Sequence, residues 1–564
     1  MIRLVRRPVP VALEGDWPDH IPPLLRRLYA ARGALEPAQA RPRLAQLPQP
    51  ALMGGIDAAT GLLADAIARD HHIVVVGDFD CDGATACAVA VRGLRMLGAR
   101  RVTPAVPNRQ VHGYGLSAAL VDELAALAPD LLVTVDHGVS CHEGITAAKA
   151  RGWQVLVTDH HLPGARLPPA DAIVDPNLPG DTFPTRMLAG VGVMFYVLLA
   201  LRRQLASSAD LASLLDLVAV GTVADLVPLD TTNRALVSAG LRRVRAGQGC
   251  QGLQALVEVA GRDMERFSAA DIGFAIAPRL NAAGRMEDMA LGIECLLCDD
   301  RARAREIAAS LNRINLERRA VQARMTDEAE AALSQLALGG PAPAAACLFD
   351  PDWHPGVVGL VASRAKDRLH RPVVAFAPAA PGSSELRGSA RSIPGFHVRD
   401  ALAAISAANP GLVPRFGGHA MAAGLSLDRA DLPAFGAAFH RHAEATLDAA
   451  LLQAELATDG ELELHEFSIQ TAHALRDGGP WGQGFPEPLF EGEFDVGSWR
   501  QVGERHLKLE LLAGPGQVAA IEFGGWQGQP PPARVRIAFR LEPDHYRGGD
   551  AIQLVVVHRE PAAV

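Results

Sequence analysis

The segment Asp78-Phe-Asp80-Cys-Asp82-Gly83-Ala-Thr85 places three carboxylates at alternate positions, a spacing that projects them from one side of an extended segment. An apolar run, Ile-Val-Val-Val, precedes it and a glycine follows. The carboxylates are therefore expected where a strand gives way to a turn and a helix. Clustered anions repel one another and call for a positive partner, and an oxygen donor set favours Mg²⁺ or Mn²⁺. The same letters open a calcium EF-hand loop. Its twelfth position should be glutamate, but counting from Asp78 reaches Val89, and a strand stands where the preceding helix should be. Taken alone, the segment also reads as a solvated acidic turn.

Three further segments carry ligand-type residues at expected strand ends: Val133-Thr-Val-Asp136-His137-Gly138, Leu156-Val-Thr-Asp159-His160-His161, and Asp225 in Val220-Gly-Thr-Val-Ala-Asp225-Leu-Val-Pro228. A single His pair is by default a surface or core feature. Several strand ends on one sheet edge, each with an Asp or Asp-His pair, point instead to metal. Such a set can support two ions about 3.5–4 Å apart, bridged by a shared carboxylate. Cys295 and Cys298 form a lone CxxC with no second pair or nearby His cluster, which reads as a buried helix face rather than a zinc or redox site. No GxxxxGK loop occurs, so ATP use is not expected.

The elements that must position these residues alternate regularly from His72. Strands are predicted at His72–Gly77, Val102–Val106, Leu131–Val135 and Gln154–Thr158, with helices at Ala84–Leu97, Ser117–Leu127 and His142–Arg151. This pattern means βαβ units and a mostly parallel sheet, whose chemistry gathers beyond the carboxyl ends of the strands. Residues 185–335 read as mainly helical, with long helices over Arg301–Leu336 bridging two lobes and a linker at Gly339–Pro343. A second α/β unit has strands at Ala346–Phe349 and Pro372–Phe376. Alternating strands at His506–Leu511, Val518–Phe523, Ala533–Leu541 and Ala551–Val557 suggest a small OB-like β-barrel, a pattern that a β-sandwich would share. The expected organisation is a multidomain α/β chain: an N-terminal arm (1–50), a parallel-sheet catalytic domain (51–300), connecting helices and linker (301–340), a smaller α/β domain (341–454) and the terminal barrel (455–564).

A chain of 564 residues is too long for one core. Its 49% apolar and 21% charged residues give the balance of a soluble globular protein. The longest apolar run, Met187–Leu201, ends at Arg202-Arg203 and reads as a buried helix, so no membrane association is expected. The N-terminus lacks a signal-peptide core and the seven scattered cysteines suit a reducing compartment, so the cytoplasm is the expected location. A net charge of −9 argues against a protein that coats nucleic acid, but not against a basic channel on an acidic body. All basic residues but Lys149, Lys366 and Lys508 are arginine, which suits bidentate phosphate contacts and also fits a GC-rich genome.

DFDCDG, TVDHG, TDHH and GTVAD, in this order, resemble the four motifs of the DHH phosphoesterase superfamily. Pro107-Asn-Arg109 with Gly113-Tyr-Gly-Leu116, Leu188-Ala-Gly-Val-Gly192 and Ala277-Pro-Arg279-Leu-Asn281-Ala-Ala-Gly-Arg285 are similar to its single-strand exonuclease branch. Trp353-His-Pro-Gly356, Arg387-Gly-Ser-Ala-Arg391-Ser392 and Phe416-Gly-Gly-His419-Ala resemble the DHH-associated (DHHA1) domain. The likeness runs from about residue 70 to 425 and, through Trp481-Gly-Gln-Gly-Phe-Pro486 and His506-Leu-Lys-Leu509, into the barrel. One departure is His137, where Cys often follows the motif Asp.

The resemblance implies a 5′-to-3′ exonuclease that hydrolyses single-stranded DNA to 5′-mononucleotides with two Mn²⁺ or Mg²⁺ ions, in DNA repair, recombination and mismatch repair. Asp80 and Asp136 would hold one ion with Asp78 nearby. Asp82, Asp136, His160 and Asp225 would hold the other, Asp136 bridging. His161 would face the scissile phosphate and Asp159 would orient a neighbouring His. Ser389, Arg391 and a Gly417-Gly418-His419 turn would grip a terminal phosphate, with Arg279 reaching the same pocket. Asn281 and Arg285 would also contact substrate, and Arg109 and Tyr114 would meet the strand ahead of the cut. Implied partners are single-stranded DNA with a 5′ end, single-strand-binding protein, a RecQ-type helicase and mismatch-repair factors, with the chain a monomer. The alternatives on the same chemistry are a nanoRNase or 3′-phosphoadenosine phosphatase, which are shorter and lack the barrel and the APRLNAAGR segment, and a family II pyrophosphatase, which lacks the reader around Arg391. From another class comes a non-catalytic replication scaffold that has lost its metals, yet every ligand position is filled here. A structural DNA-binding protein would be basic.

Overall fold

The computed structural model describes residues 2–10, 17–108, 111–112, 115–337, 343–514, 516–544 and 546–562. They fall into two compact units, Leu4–Asn312 with Ala457–Val564, and Met1–Arg3 with Arg313–Leu456.

In the first unit, the β-branched runs form a five-stranded parallel sheet in the order Val102–Ala105, Ile73–Val76, Leu131–Val135, Gln154–Thr158, Ala172–Val174. Ile73–Val76 and Leu131–Val135 are buried at every position, as strands covered on both faces must be. The edge strand Ala172–Val174 was not expected. Its three residues are too few to show a period. The helix after the first strand begins at Cys81 rather than Ala84, because Asp80 caps it by accepting the Gly83 amide at 3.0 Å. Asp82 therefore lies in a helical first turn. The expectation of three carboxylates along one extended segment is corrected: a capping aspartate outweighs the alternating pattern.

The run Met187–Leu201 is a buried helix as read, spanning Gly190–Gln204. A second correction concerns Asp225. It caps the C-terminal end of helix Leu215–Ala224 and does not end a strand, since a short apolar run fits either period. Residues Arg301–Ala337 form one 37-residue helix rather than several. Most of the expected linker, residues 339–342, lies outside the described residues.

The barrel belongs to this same unit. Strands Phe490–Val502, His506–Ala513, Gly516–Glu522, Ile552–Pro561 and Arg534–Pro543 close on one another in that order, which leaves no open sheet edge. The preceding Trp481–Phe485 segment anchors it. Trp481 stacks on Phe485 (5.4 Å) and on Tyr29 (6.0 Å), while the Arg234 guanidinium sits 3.9 Å over Phe485.

The second unit holds a mixed sheet in the order Arg415–Gly418, Ala422–Asp428, Glu385–Arg391, Val373–Pro378, Ala346–Phe349. Only the last two strands run parallel. Its core is mainly aliphatic, with Phe376, Phe396, Phe435 and Phe439 as its largest side chains. Among the described residues no single helix is long and apolar enough to cross a membrane.

Candidate metal centre

Three adjacent parallel strands deliver the acidic motifs to one edge. Asp78 follows Ile73–Val76 by one glycine, Asp136 directly follows Leu131–Val135, and Asp159 directly follows Gln154–Thr158. Asp136 turns out of its strand with a left-handed backbone, φ +65°, a conformation that Asp tolerates better than most residues. A Cβ on Gly190 would stand 2.5 Å from the Asp136 Cβ, so that helix can start here only with glycine. The same helix start donates two amides to the buried Asp82 carboxylate, Gly190 at 2.6 Å and Val191 at 3.0 Å, with the positive end of the helix dipole behind them.

Donor atoms of Asp78, Asp80 and Asp136 lie within 4.8 Å of one another, as do those of Asp82, His160 and Asp225, and those of Asp136, His160 and His161. His160 Nε2 is 3.1 Å from Asp136 and 3.6 Å from Asp225. Burial, and then repulsion by Asp80, push the Asp82 carboxyl up to about 7. Burial and repulsion by Asp82 and Asp80 push Asp225 up to about 9. Asp136 is raised well above the carboxylate range by burial and by four neighbouring aspartates. Among the described residues no Lys or Arg pairs with Asp82, Asp136 or Asp225. Oxygen-rich donors with one imidazole, buried and mutually repelling, fit hard divalent cations.

His161 donates from Nδ1 to Asp159 at 2.7 Å. Burial opposes its charge, but the hydrogen bond and charge of Asp159 win and raise it to about 9. Asp159 is held below the ordinary carboxylate range, burial being outweighed by His161 and the Val139 amide. His137 is a structural residue. Burial lowers it to about 4 and its Nε2 meets the Val76 carbonyl at 3.1 Å. Cys295 is buried on its helix with Sγ toward the Gly252 carbonyl, and neither it nor Cys298 joins a metal-type cluster among the described residues.

Two asparagines position the ligand loops. Asn177, which sequence reading missed, donates to the His160 carbonyl at 2.6 Å. Asn281, expected to contact substrate, accepts the Cys81 amide at 2.8 Å and so fixes the helix start between Asp80 and Asp82. Neither task has a local signal, because each partner is distant in sequence. Asn281→Ala leaves that amide without its partner, at about 1–3 kcal/mol. We expect metal affinity to fall roughly 10–100-fold, read by Mn²⁺ titration of the melting temperature.

Arg109 and Tyr114 lie outside the described residues. Arg279 donates to Asn312 (3.0 Å) and to the Ala275 carbonyl (2.6 Å), and Arg285 lies near the end of the same helix, Ala277–Met286. In the second unit, Ser389 and Arg391 share one face of strand Glu385–Arg391, and Arg391 donates to Ser389 at 2.9 Å. Both lie against the first turn of helix Val358–Leu369: a Cβ on Gly359 would stand 2.9 Å from the guanidinium and 3.0 Å from the hydroxyl. The expected Gly417-Gly418-His419 turn is corrected. Gly417 and Gly418 are strand residues paired with Gly424 and Ala423, and the reversal is residues 419–421, closed by the His419 amide on the Ala422 carbonyl. Gly418 is held in the strand by close approach, since a Cβ would stand 2.4 Å from that carbonyl.

Residues 72–222 match the DHH family, N-terminal domain, residues 342–445 the DHHA1 domain, and residues 458–558 the RecJ OB domain. The single-stranded-DNA-specific exonuclease RecJ of Dickeya dadantii is 47% identical over 99% of both chains. The chain belongs to the RecJ family. RecJ of Escherichia coli is 44% identical over 98% of each chain. The crystal structure of RecJ from Thermus thermophilus in complex with Mn²⁺ superposes with a TM-score of 0.83 at 33% identity, covering all of this chain and 80% of that one. A second RecJ structure from the same organism contains Mg²⁺ (TM-score 0.77). The expected fold class therefore stands, and the acidic cluster with its imidazole fits the Mn²⁺ or Mg²⁺ expected from the sequence.

Proposed function

We infer that this chain is a single-stranded-DNA-specific exonuclease that releases 5′-mononucleotides in the 5′-to-3′ direction with two divalent ions. The observation that carries this reading is the partly buried cluster of Asp78, Asp80, Asp82, Asp136, His160 and Asp225 at one sheet edge, in a chain with near full-length RecJ relatives.

Asp78, Asp80 and Asp136 would hold one ion and Asp82, Asp136, His160 and Asp225 the other, Asp136 shared. When bound, such ions lower the pKa of water and offset charge on the phosphoryl oxygens. The protein's own residues do the rest. Asp159 keeps His161 oriented and protonated at neutral pH, so the imidazolium offers a charged N–H to a phosphate oxygen. Asp82, tied to two helix amides, stays fixed while substrate exchanges. Hydrolysis needs no covalent nucleophile from the chain.

For the end of the strand we propose, within the second unit, Arg391, Ser389 and the first turn of helix Val358–Leu369, a fork and helix amides suited to a terminal phosphate, with Gly417, Gly418 and His419 as further contacts. Within the first unit we propose Arg279, Asn281 and Arg285 as contacts to the substrate strand. Arg391→Ala is expected to cut the rate preference for 5′-phosphorylated over 5′-hydroxyl oligonucleotides by roughly 10–100-fold, the worth of one charged hydrogen bond. An unchanged ratio would remove Arg391 from the reader.

An enzyme restricted to single strands needs duplex opened for it. We propose that it acts as a cytoplasmic monomer in repair and recombination beside a RecQ-type helicase, single-strand-binding protein and mismatch-repair factors. Pull-down with each purified partner tests this, and binding to none would leave the enzyme acting alone.

A further inference from the structure

Among the described residues six non-glycine positions have a left-handed backbone, and two of them stand at the metal centre: Asp136 and Leu226, φ +62°. Leu226 follows Asp225 just past the end of helix Leu215–Ala224, where the usual occupant is glycine. A leucine in that conformation costs the fold stability. Burial returns none of it, because Leu226 is 69% exposed. A second large apolar side chain, Leu162, follows His161 directly and is 66% exposed. A third, Phe274, is 82% exposed on the single π-helical turn Ile272–Ile276, which packs on helix Leu215–Ala224 and leads into the helix that carries Asn281. Such π turns recur at functional sites. Leu226 and Leu162, each next in the chain to a residue of the acidic cluster, thus stand in water, the first at a cost to the backbone.

We propose that Leu226 is a substrate contact that packs against the sugar and base of the nucleotide whose phosphate occupies the metal centre. Leu162, leaving from the other ligand-bearing loop, adds to the same apolar rim. A nucleotide matches this arrangement chemically. Its phosphate belongs with the cations, and the faces of its sugar and base, which are apolar and common to all sequences, belong against hydrocarbon. Leucine is retained over glycine at a left-handed position because the side chain meets substrate. This inference rests on the exonuclease reading of the site.

The test compares wild type, Leu226→Gly and Leu226→Ala on Mn²⁺-loaded full-length protein. Substrates are a single-stranded oligonucleotide and two versions with an abasic residue at the first or second 5′ position. Glycine takes the left-handed conformation without strain, so Leu226→Gly is expected to melt no lower than wild type, and Leu226→Ala no higher. Both are expected to raise KM roughly three- to ten-fold, the worth of one apolar contact, with kcat within about two-fold. Wild type is expected to lose a similar factor on one abasic substrate and the variants to lose nothing further. Wild-type KM in Leu226→Gly overturns the proposal, as does a clear fall in its melting temperature, which would make Leu226 a packing residue. Indifference of wild type to both abasic substrates overturns it too. If wild type fails to degrade the intact oligonucleotide with Mn²⁺, the exonuclease reading itself has failed. Degradation by wild type with unchanged variants confines the failure to Leu226.

Discussion

Asp136→Asn is expected to abolish nucleotide release, by about a thousand-fold or more, while raising the melting temperature of the metal-free protein. Both effects come from one position. Asp136 belongs to the donor set with Asp78 and Asp80 and lies 3.1 Å from His160, a member of the other set. Losing a shared anionic ligand removes several kcal/mol of transition-state stabilisation, and each 1.4 kcal/mol is about tenfold in rate. Without metal the same carboxylate is a burden: it is buried at 2% exposure, and burial together with Asp82, Asp80, Asp225 and Asp78 disfavours its charge. Asparagine keeps the shape, tolerates the left-handed backbone and carries no charge. Rate and metal-free melting temperature should therefore move in opposite directions. A variant that is both inactive and less stable than wild type in EDTA would mean that Asp136 serves the fold, not the metal.

The second large effect is on pH dependence. In the fold Asp82 titrates near 7, Asp225 near 9 and Asp175 near 8, each raised first by burial, whereas unfolded aspartate titrates near about 3.9. Between these limits the folded state binds more protons than the unfolded one, so stability falls as pH rises. His161 acts in the same direction over part of the range. Its folded value near 9 exceeds the unfolded value of about 6.5, so its contribution is complete below 6.5 and lost as pH climbs to 9. Asp159, lowered in the fold, contributes stability that is present above about 4 and lost in acid. His137, lowered to about 4 by burial, works the other way between about 4 and 6.5 but is one group against three. Metal-free protein should thus be most stable at about pH 4 and lose stability steadily to pH 9. Mn²⁺ replaces the missing protons, so the melting shift it produces should be several-fold larger at pH 8 than at pH 5.5. Thermal unfolding in EDTA and in Mn²⁺ across this range measures both. A flat EDTA profile contradicts the mutual repulsion of the cluster.

Period and composition carried much of the fold. Leu131–Val135, Gln154–Thr158 and Ala346–Phe349 were legible to the residue because short apolar runs bounded by turn residues allow few readings. The edge strand Ala172–Val174 and the first barrel strand, Phe490–Val502, were not. The first is three residues long and the second is exposed over much of its length, so neither shows clear alternation. The carboxylates were legible as ligands from their types, but their settings were not. Asp82 sits in a helix and Asp225 at a helix end because capping and tertiary packing decide between periods that the sequence leaves balanced. Contacts made by backbone amides, such as Gly190 and Val191 on Asp82, leave no residue-type signature. Leu226 was invisible for the opposite reason. A leucine beside an aspartate is unremarkable until its φ and its exposure are known together.

The central claim is tested most directly by incubating purified protein with oligonucleotides labelled at the 5′ or 3′ end, single- and double-stranded, in Mn²⁺ or EDTA. The account predicts mononucleotides released from the 5′ end of single strands, in Mn²⁺ only and not by Asp136→Asn. Release in EDTA, digestion confined to very short oligonucleotides, or binding without cleavage in Mn²⁺ would contradict it.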